Sequence, residues 1–321
     1  MQIKTIVSNR CIDPHHANDL VYEWEDDLSE TLGVPLSFNH PWKNKRYSKF
    51  IPIVLNLLQT DEPAFAYEMC TYRHNGNNKS NIVPCIIDFY IKSPVLVRLW
   101  YASYWRNKVV LVSSREVYEF LSGQFGFTKI RHLPLSISDR YRITPDTRYQ
   151  KTYDMFIAGR QNPVLRSFWE RYLTSHPDTT YVYRTTMEGK SVYKNQDGQV
   201  VSETDSREVY MQLMQQARAS MYSPPGIDGS RQTNGFSQVT PRFLEIVAAC
   251  CHPLLRYPDN ADTRYFRLHN FCPSIDNYEQ FERLMDVARD GEVNVGKHSD
   301  YLSRHYTSVV ARQLQQILST L

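Results

Sequence analysis

The chain has 321 residues, enough for two domains that each bury a core, and its 41% hydrophobic and 22% charged content is that of a folded globular protein. A net charge of +3 argues against a nucleic-acid partner, yet it is compatible with a local basic cleft or with peripheral contact with an anionic membrane. Six cysteines without Cys-x-x-Cys or zinc spacing predict reduced thiols and no metal centre, and the longest apolar run, Phe50 to Leu58, is short of the roughly 20 residues of a membrane helix.

Residues 3–7 (IKTIV) predict a first strand. After a polar loop, Leu20, Val21, Trp24, Leu28 and Leu32 share one helical face that stops at Gly33. The loop holds His15 and His16 at the carboxyl end of that strand, where open α/β sheets bind ligands, and His16 is a candidate base. It lacks the glycine fingerprint of a dinucleotide site, so no such cofactor is expected there. Apolar runs at 64–70, 82–90, 109–113 and 130–135 predict buried parallel strands. Helices are expected at 94–106 and at 113–121, the second opened by Ser113 paired with Glu116. Asp88, at the end of one of these strands, is a second candidate base. The polar stretch 138–152 predicts a linker.

The pattern restarts with YDMFIAG at 153–159, whose terminal Gly159 and Arg160 stand where backbone and guanidinium can meet a ligand. Helices follow from Pro163 and over Arg207–Ala217, with a strand at 181–184 and a hairpin excursion at 185–205 between them. Then comes ASMYSPPGIDGSRQTNGFSQVTPRFLEIVAACCHPLLR at 219–256, which predicts strand, polar loop, helix and strand. Thr240 as N-cap and Pro241 in the first turn mark a helix start suited to an anion, with Arg242 adding charge and Glu245 one turn on. Amphipathic helices are expected at 275–289 and in one final stretch from Ser299 carrying Tyr301, Leu302, Tyr306, Val309, Val310, Leu314 and Ile317.

Phe156–Arg160, Tyr222–Pro225, Gly235 with Phe236, Thr240–Leu255 and the tail SRHYTSVVARQLQQIL together resemble the GT-B glycosyltransferases, in particular the group 1 and spore-maturation-type branch. The resemblance implies an α/β fold of two Rossmann-like domains facing each other across a cleft. It divides the chain into an acceptor-side domain at 1–140, a donor-side domain at 153–300 and a terminal helix at 301–321 crossing back to the first. It implies transfer of a sugar from a nucleotide-diphosphate sugar, a co-substrate rather than a cofactor, to a glycan or lipid-linked acceptor in bacterial surface-polysaccharide or glycoconjugate synthesis. The donor would be held by Gly159, Arg160, Tyr222, Ser223, Gly235, Phe236, Ser237, Thr240, Arg242 and Glu245, with Glu245 on the ribose. His16, Asp88 and Arg160 would be the catalytic groups, without metal. The protein is expected in the cytoplasm, at the inner membrane face when it acts on lipid-linked acceptors. Retaining members often carry a second glutamate at the position of Ser237, which leaves the stereochemical course open; the glycine usual after Ala-Cys is replaced, on this reading, by Cys251. A nucleotide-sugar epimerase and a catalytically silent nucleotide-sugar or glycan-binding subunit are the alternatives.

Overall fold

A computed structural model describes residues 1–11, 18–38, 62–69, 79–229 and 231–321; His15, His16, Cys70 and the run Phe50 to Leu58 lie outside the described residues. In chain order the first elements are β1 (Thr5–Ser8), α1 (Asp19–Leu32), β2 (Leu36–Phe38), β3 (Ala64–Met69), β4 (Ile82–Ile87), α2 (Pro94–Ser103), β5 (Val110–Val112), α3 (Arg115–Glu119) and β6 (Ile130–His132). There follow β7 (Tyr153–Ile157), α4 (Pro163–Ser175), β8 (Tyr181–Met187), β9 (Lys190–Asn195), β10 (Val200–Ser202), α5 (Arg207–Gln215) and β11 (Ala217–Tyr222). The last are α6 (Arg242–Ala248), β12 (His252–Leu255), α7 (Ala261–Tyr265), α8 (Tyr278–Asp290), α9 (Val295–Leu302) and α10 (Thr307–Ser319). The chain divides into two units, residues 1–139 with 307–321, and residues 140–306.

In the first unit the sheet runs β2-β1-β3-β4-β5-β6, with every pair parallel. Parallel strands carry helices on both faces, so β4 is buried along its whole length. Val21, Trp24 and Leu28 of α1 and Val310, Leu314 and Leu318 of α10 pack with Phe65, Val83, Cys85 and Ile87 into one core. Gly33 ends α1 at φ 64°, the left-handed conformation its sequence position predicts. The predicted cap of α3 is shifted by one residue: Ser114, not Ser113, accepts the Val117 N–H at 3.1 Å.

The second unit's sheet runs β10-β9-β8-β7-β11-β12. β8, β7, β11 and β12 are parallel, and β9 and β10 add an antiparallel hairpin at one edge. From β7 the chain steps outward to β8, then returns through α5 to place β11 on the other side of β7. That reversal leaves a crevice at the carboxyl ends of β7 and β11, the place where open α/β sheets bind ligands.

One expected helix is two. α9 ends at Leu302 and α10 starts at Thr307. The break has no Pro or Gly to announce it. Instead Thr307 donates from N and Oγ1 to Ile137 O (3.0 and 3.1 Å), and Asp139 accepts from Ser308 N and Oγ (2.8 and 2.7 Å), so a distant segment caps α10.

Candidate functional site

The crevice holds a pocket of about 210 Å³ lined by Arg160, Gln161, Asn162, Leu165, Met221, Tyr222, Ser223, Thr240 and Arg242. Among the described residues that line it are two arginines and no carboxylate.

Each wall has a local cause. β7 delivers Gly159 at φ 64°, and a β-carbon there would sit 3.0 Å from Arg242 Nη1. Glycine therefore serves twice, for its backbone conformation and for the close approach of a guanidinium. Asn162 caps α4: its Oδ1 accepts from Val164 N and Leu165 N at 2.9 and 3.1 Å. Its Nδ2 reaches across to Ser223 Oγ at 3.2 Å and Asp228 Oδ2 at 2.8 Å. Asp228 is held in turn by Arg256 at 2.5 and 2.9 Å, which keeps its carboxyl below the usual range and pins the loop after β11. Tyr222, whose phenol burial holds well above its ordinary range, accepts the Thr240 N–H at 2.8 Å and so ties β11 to the start of α6. Gln161 folds back on Ala158 O at 2.8 Å.

Arg242 is the distinctive group. Its Nε and Nη2 are shielded from solvent and hydrogen-bond to nothing among the described residues. A buried donor left unmade costs about 1–3 kcal/mol, more when charged. Arg160 stands beside it, exposed on the rim. Together they put two guanidinium groups on one wall of the pocket, a group suited to anions.

Of the residues the sequence assigned to the donor, Arg160, Tyr222, Ser223, Thr240 and Arg242 line this pocket and Gly159 shapes it. Four do not. Gly235 is exposed, and the Phe236 N–H is committed to Thr233 O at 3.0 Å. Ser237 is buried, its hydroxyl on Pro225 O at 2.8 Å and its carbonyl accepting from Asn260 at 3.0 Å, so it fastens the loop. Glu245 is enclosed as well. It is 3% exposed, its Oε1 lies 2.6 Å from Arg207 Nη2, and its Oε2 accepts the Tyr210 hydroxyl at 2.8 Å. Both carboxylate oxygens are therefore engaged inside the unit, by Arg207 and Tyr210. The helix start is also one residue later than expected, with Pro241 as N-cap and no side-chain cap bond from it.

Asp88 lies in the first unit, just past β4 at φ 61°, with the Tyr90 hydroxyl on its Oδ1 at 3.0 Å. An Asp in the left-handed region is strained by about 1–3 kcal/mol, a cost often met at functional positions. Gln161, Asn162, Leu165 and Met221 escaped the sequence reading. The Asn-Pro pair opening α4 was a signal for Asn162.

No model of a known protein family matches the sequence. No curated protein matches it either. Among solved structures, AviGT4, a glycosyltransferase involved in avilamycin A biosynthesis, superposes with a TM-score of 0.61 at 11% identity, over 98% of this chain and 96% of that one. The fold is GT-B. Other GT-B-like matches include the pneumococcal O-GlcNAc transferase GtfA, solved with UDP and GlcNAc, at TM-score 0.54 and 9% identity over 84% of this chain and 59% of that one. A UDP-N-acetylglucosamine 2-epimerase, so described, from Listeria monocytogenes matches at TM-score 0.54 and 9% identity, over 100% of this chain and 96% of that one.

Proposed function

We propose that this chain is a glycosyltransferase that moves a sugar from a nucleotide-diphosphate sugar to a glycan or lipid-linked acceptor in the synthesis of a cytoplasmically assembled polysaccharide or glycoconjugate. The observation that carries this reading is the pair Arg160 and Arg242, facing a pocket without carboxylates at the chain reversal of a GT-B second domain. Sugar transfer passes through an oxocarbenium-like state while negative charge gathers on the departing diphosphate, so placing cations at that diphosphate is the main catalytic task. Arg242 supplies charge from the pocket wall and Arg160 from its rim. At about 210 Å³ the pocket is smaller than a site for a whole drug-sized ligand, which suits the diphosphate alone. The proposal is that these guanidinium groups take the role a divalent ion would otherwise fill. Glu245 acts as a positioning residue, through Arg207 and Tyr210. In the first unit, Asp88 at the carboxyl end of β4 is the proposed base for the acceptor hydroxyl, and His16 stays a candidate for the same task.

The Listeria likeness brings an epimerase as the second reading. Epimerisation needs acid and base groups around the sugar, which on this reading lies outside the pocket that takes the diphosphate. Incubation with UDP-, GDP- and CMP-sugars and a panel of soluble and lipid-linked acceptors tests both. Transfer or slow donor hydrolysis, undiminished by a chelator, is the expected result. An interconverted sugar with no transfer would support the epimerase, and binding without turnover would support a silent subunit.

A further inference from the structure

Among its described residues the first unit exposes an apolar surface. In α2, Val97 and Trp100 turn inward, and Trp100 meets Phe89 and Tyr104 edge to face at 4.8 and 5.3 Å. The opposite side is apolar as well. Val95 is 65% exposed, Leu96 51%, Leu99 62%, and Trp105, in the turn just after the helix, 65%. Single exposed apolar residues are ordinary, but four from one short helix and its turn form a patch. A helix apolar on both sides is one whose outer face has a second apolar medium to meet.

Charge decides which medium. From Phe89 to Arg115 the sequence contains no Asp or Glu. Around the patch stand cations: Arg98 over the Phe125 ring at 5.5 Å, Arg106 over the Trp105 ring at 4.9 Å, Lys108, and Lys129, whose ammonium donates to Trp105 O at 2.9 Å. An apolar centre with a tryptophan at its margin and lysine and arginine at its edge complements the acyl-headgroup boundary of an anionic bilayer. At 10 residues, or about 15 Å, α2 can lie in such a boundary and cannot cross it.

We propose that α2 and the turn at Trp105 dock the protein onto an anionic lipid surface, with Val95, Leu96, Leu99 and Trp105 entering the headgroup layer and Arg98, Arg106, Lys108 and Lys129 meeting lipid phosphates. The docking stands on the patch alone and is read without any sugar nucleotide, so it survives or fails separately from the transferase reading. If both hold, the acceptor is carried by a lipid.

Co-sedimentation with vesicles tests it. The full chain is expected to pellet with phosphatidylcholine vesicles containing about a third phosphatidylglycerol, and to stay in solution with phosphatidylcholine alone, because each surface cation adds roughly fivefold to the affinity for an anionic membrane. Leu99→Gln with Trp105→Gln should lower binding at least tenfold, and Arg106→Gln with Lys108→Gln about twentyfold or more at low salt, each with an unchanged thermal melt. The second pair leaves the apolar patch intact, so a folding defect in the first does not decide the matter. No pelleting with the anionic vesicles, or pelleting that neither pair reduces, overturns the proposal; the patch would then cover another protein or another part of this chain.

Discussion

Glu245 and Arg242 lie one helical turn apart on α6 and have opposite fates. Glu245 is enclosed with Arg207, and Tyr210 closes its second oxygen. Removing one member of a buried ion pair strands the other, so Glu245→Ala is expected to destabilise the fold by about 3–5 kcal/mol, and Arg207→Met with Glu245→Leu by much less. Thermal or urea melts of these variants check it; a stable Glu245→Ala that has lost nucleotide binding would restore the ribose contact. Arg242 faces the pocket. Gly159→Ala would drive a methyl to 3.0 Å from its Nη1 at a backbone φ of 64°. That variant is expected to lose about 1–2 kcal/mol of stability and to weaken nucleotide binding together, as seen by melting with and without ligand. The sequence marked both charged residues of α6 but not which one was enclosed. The deciding partners, Arg207 and Tyr210, lie far upstream on α5, and only the fold brings them in.

At the scale of elements, α6 ends in a Schellman turn. Cys250 N–H bonds Val247 O and Cys251 N–H bonds Ile246 O, both at 3.1 Å, which places Cys250 in the left-handed region at φ 51°. The position that wants glycine is thus Cys250, not Cys251 as its sequence context suggested. Cys250→Gly is expected to stabilise by about 1 kcal/mol, visible as a rise in Tm, through relief of the backbone. A fall would show that packing of its buried thiol, pushed up to about 11 by burial, matters more. Lys151 binds the last carbonyls of this region, Gln215 O and Ala249 O, at 3.0 and 2.9 Å, where a cation also offsets the negative helix ends. Nearly every strand and helix of the two sheets was legible from apolar runs and amphipathic spacing. β2 and α7, short and without strong periodicity, were not. Nor was the break between α9 and α10, whose cause is Asp139 and Ile137, distant in sequence.

Across the whole molecule, protonation sets an acid limit. Burial lowers His132, His298 and His305 to about 4, with Arg115 adding to the effect at His132 and Arg304 and Arg267 at His305. The unfolded chain takes up those protons near pH 6.5 and the folded chain resists until about pH 4, so stability is full above 6.5 and falls as pH drops from there. Glu25, raised by burial to about 7 despite Ser8 and Arg10, works the other way, because the folded state binds its proton first. Three histidines outweigh one carboxyl, and melts between pH 6.5 and 5 should show a loss of roughly 2–3 kcal/mol per pH unit. A flat profile would mean that the histidines are charged in the fold.

The GT-B architecture was readable from order and motif, and so were two arginines, Arg160 and Arg242, that line the pocket. The fold added the chain reversal between β7 and β11 that brings the two arginines to one crevice. Titration calorimetry of the nucleoside diphosphates UDP, GDP and ADP into wild type and Arg242→Gln tests this account most directly. One nucleotide should bind the wild type, and the variant should bind it about 10–100-fold more weakly at unchanged fold, as expected for a charged hydrogen bond to phosphate. Binding of equal strength to both proteins, or of no nucleotide to the wild type, would contradict it.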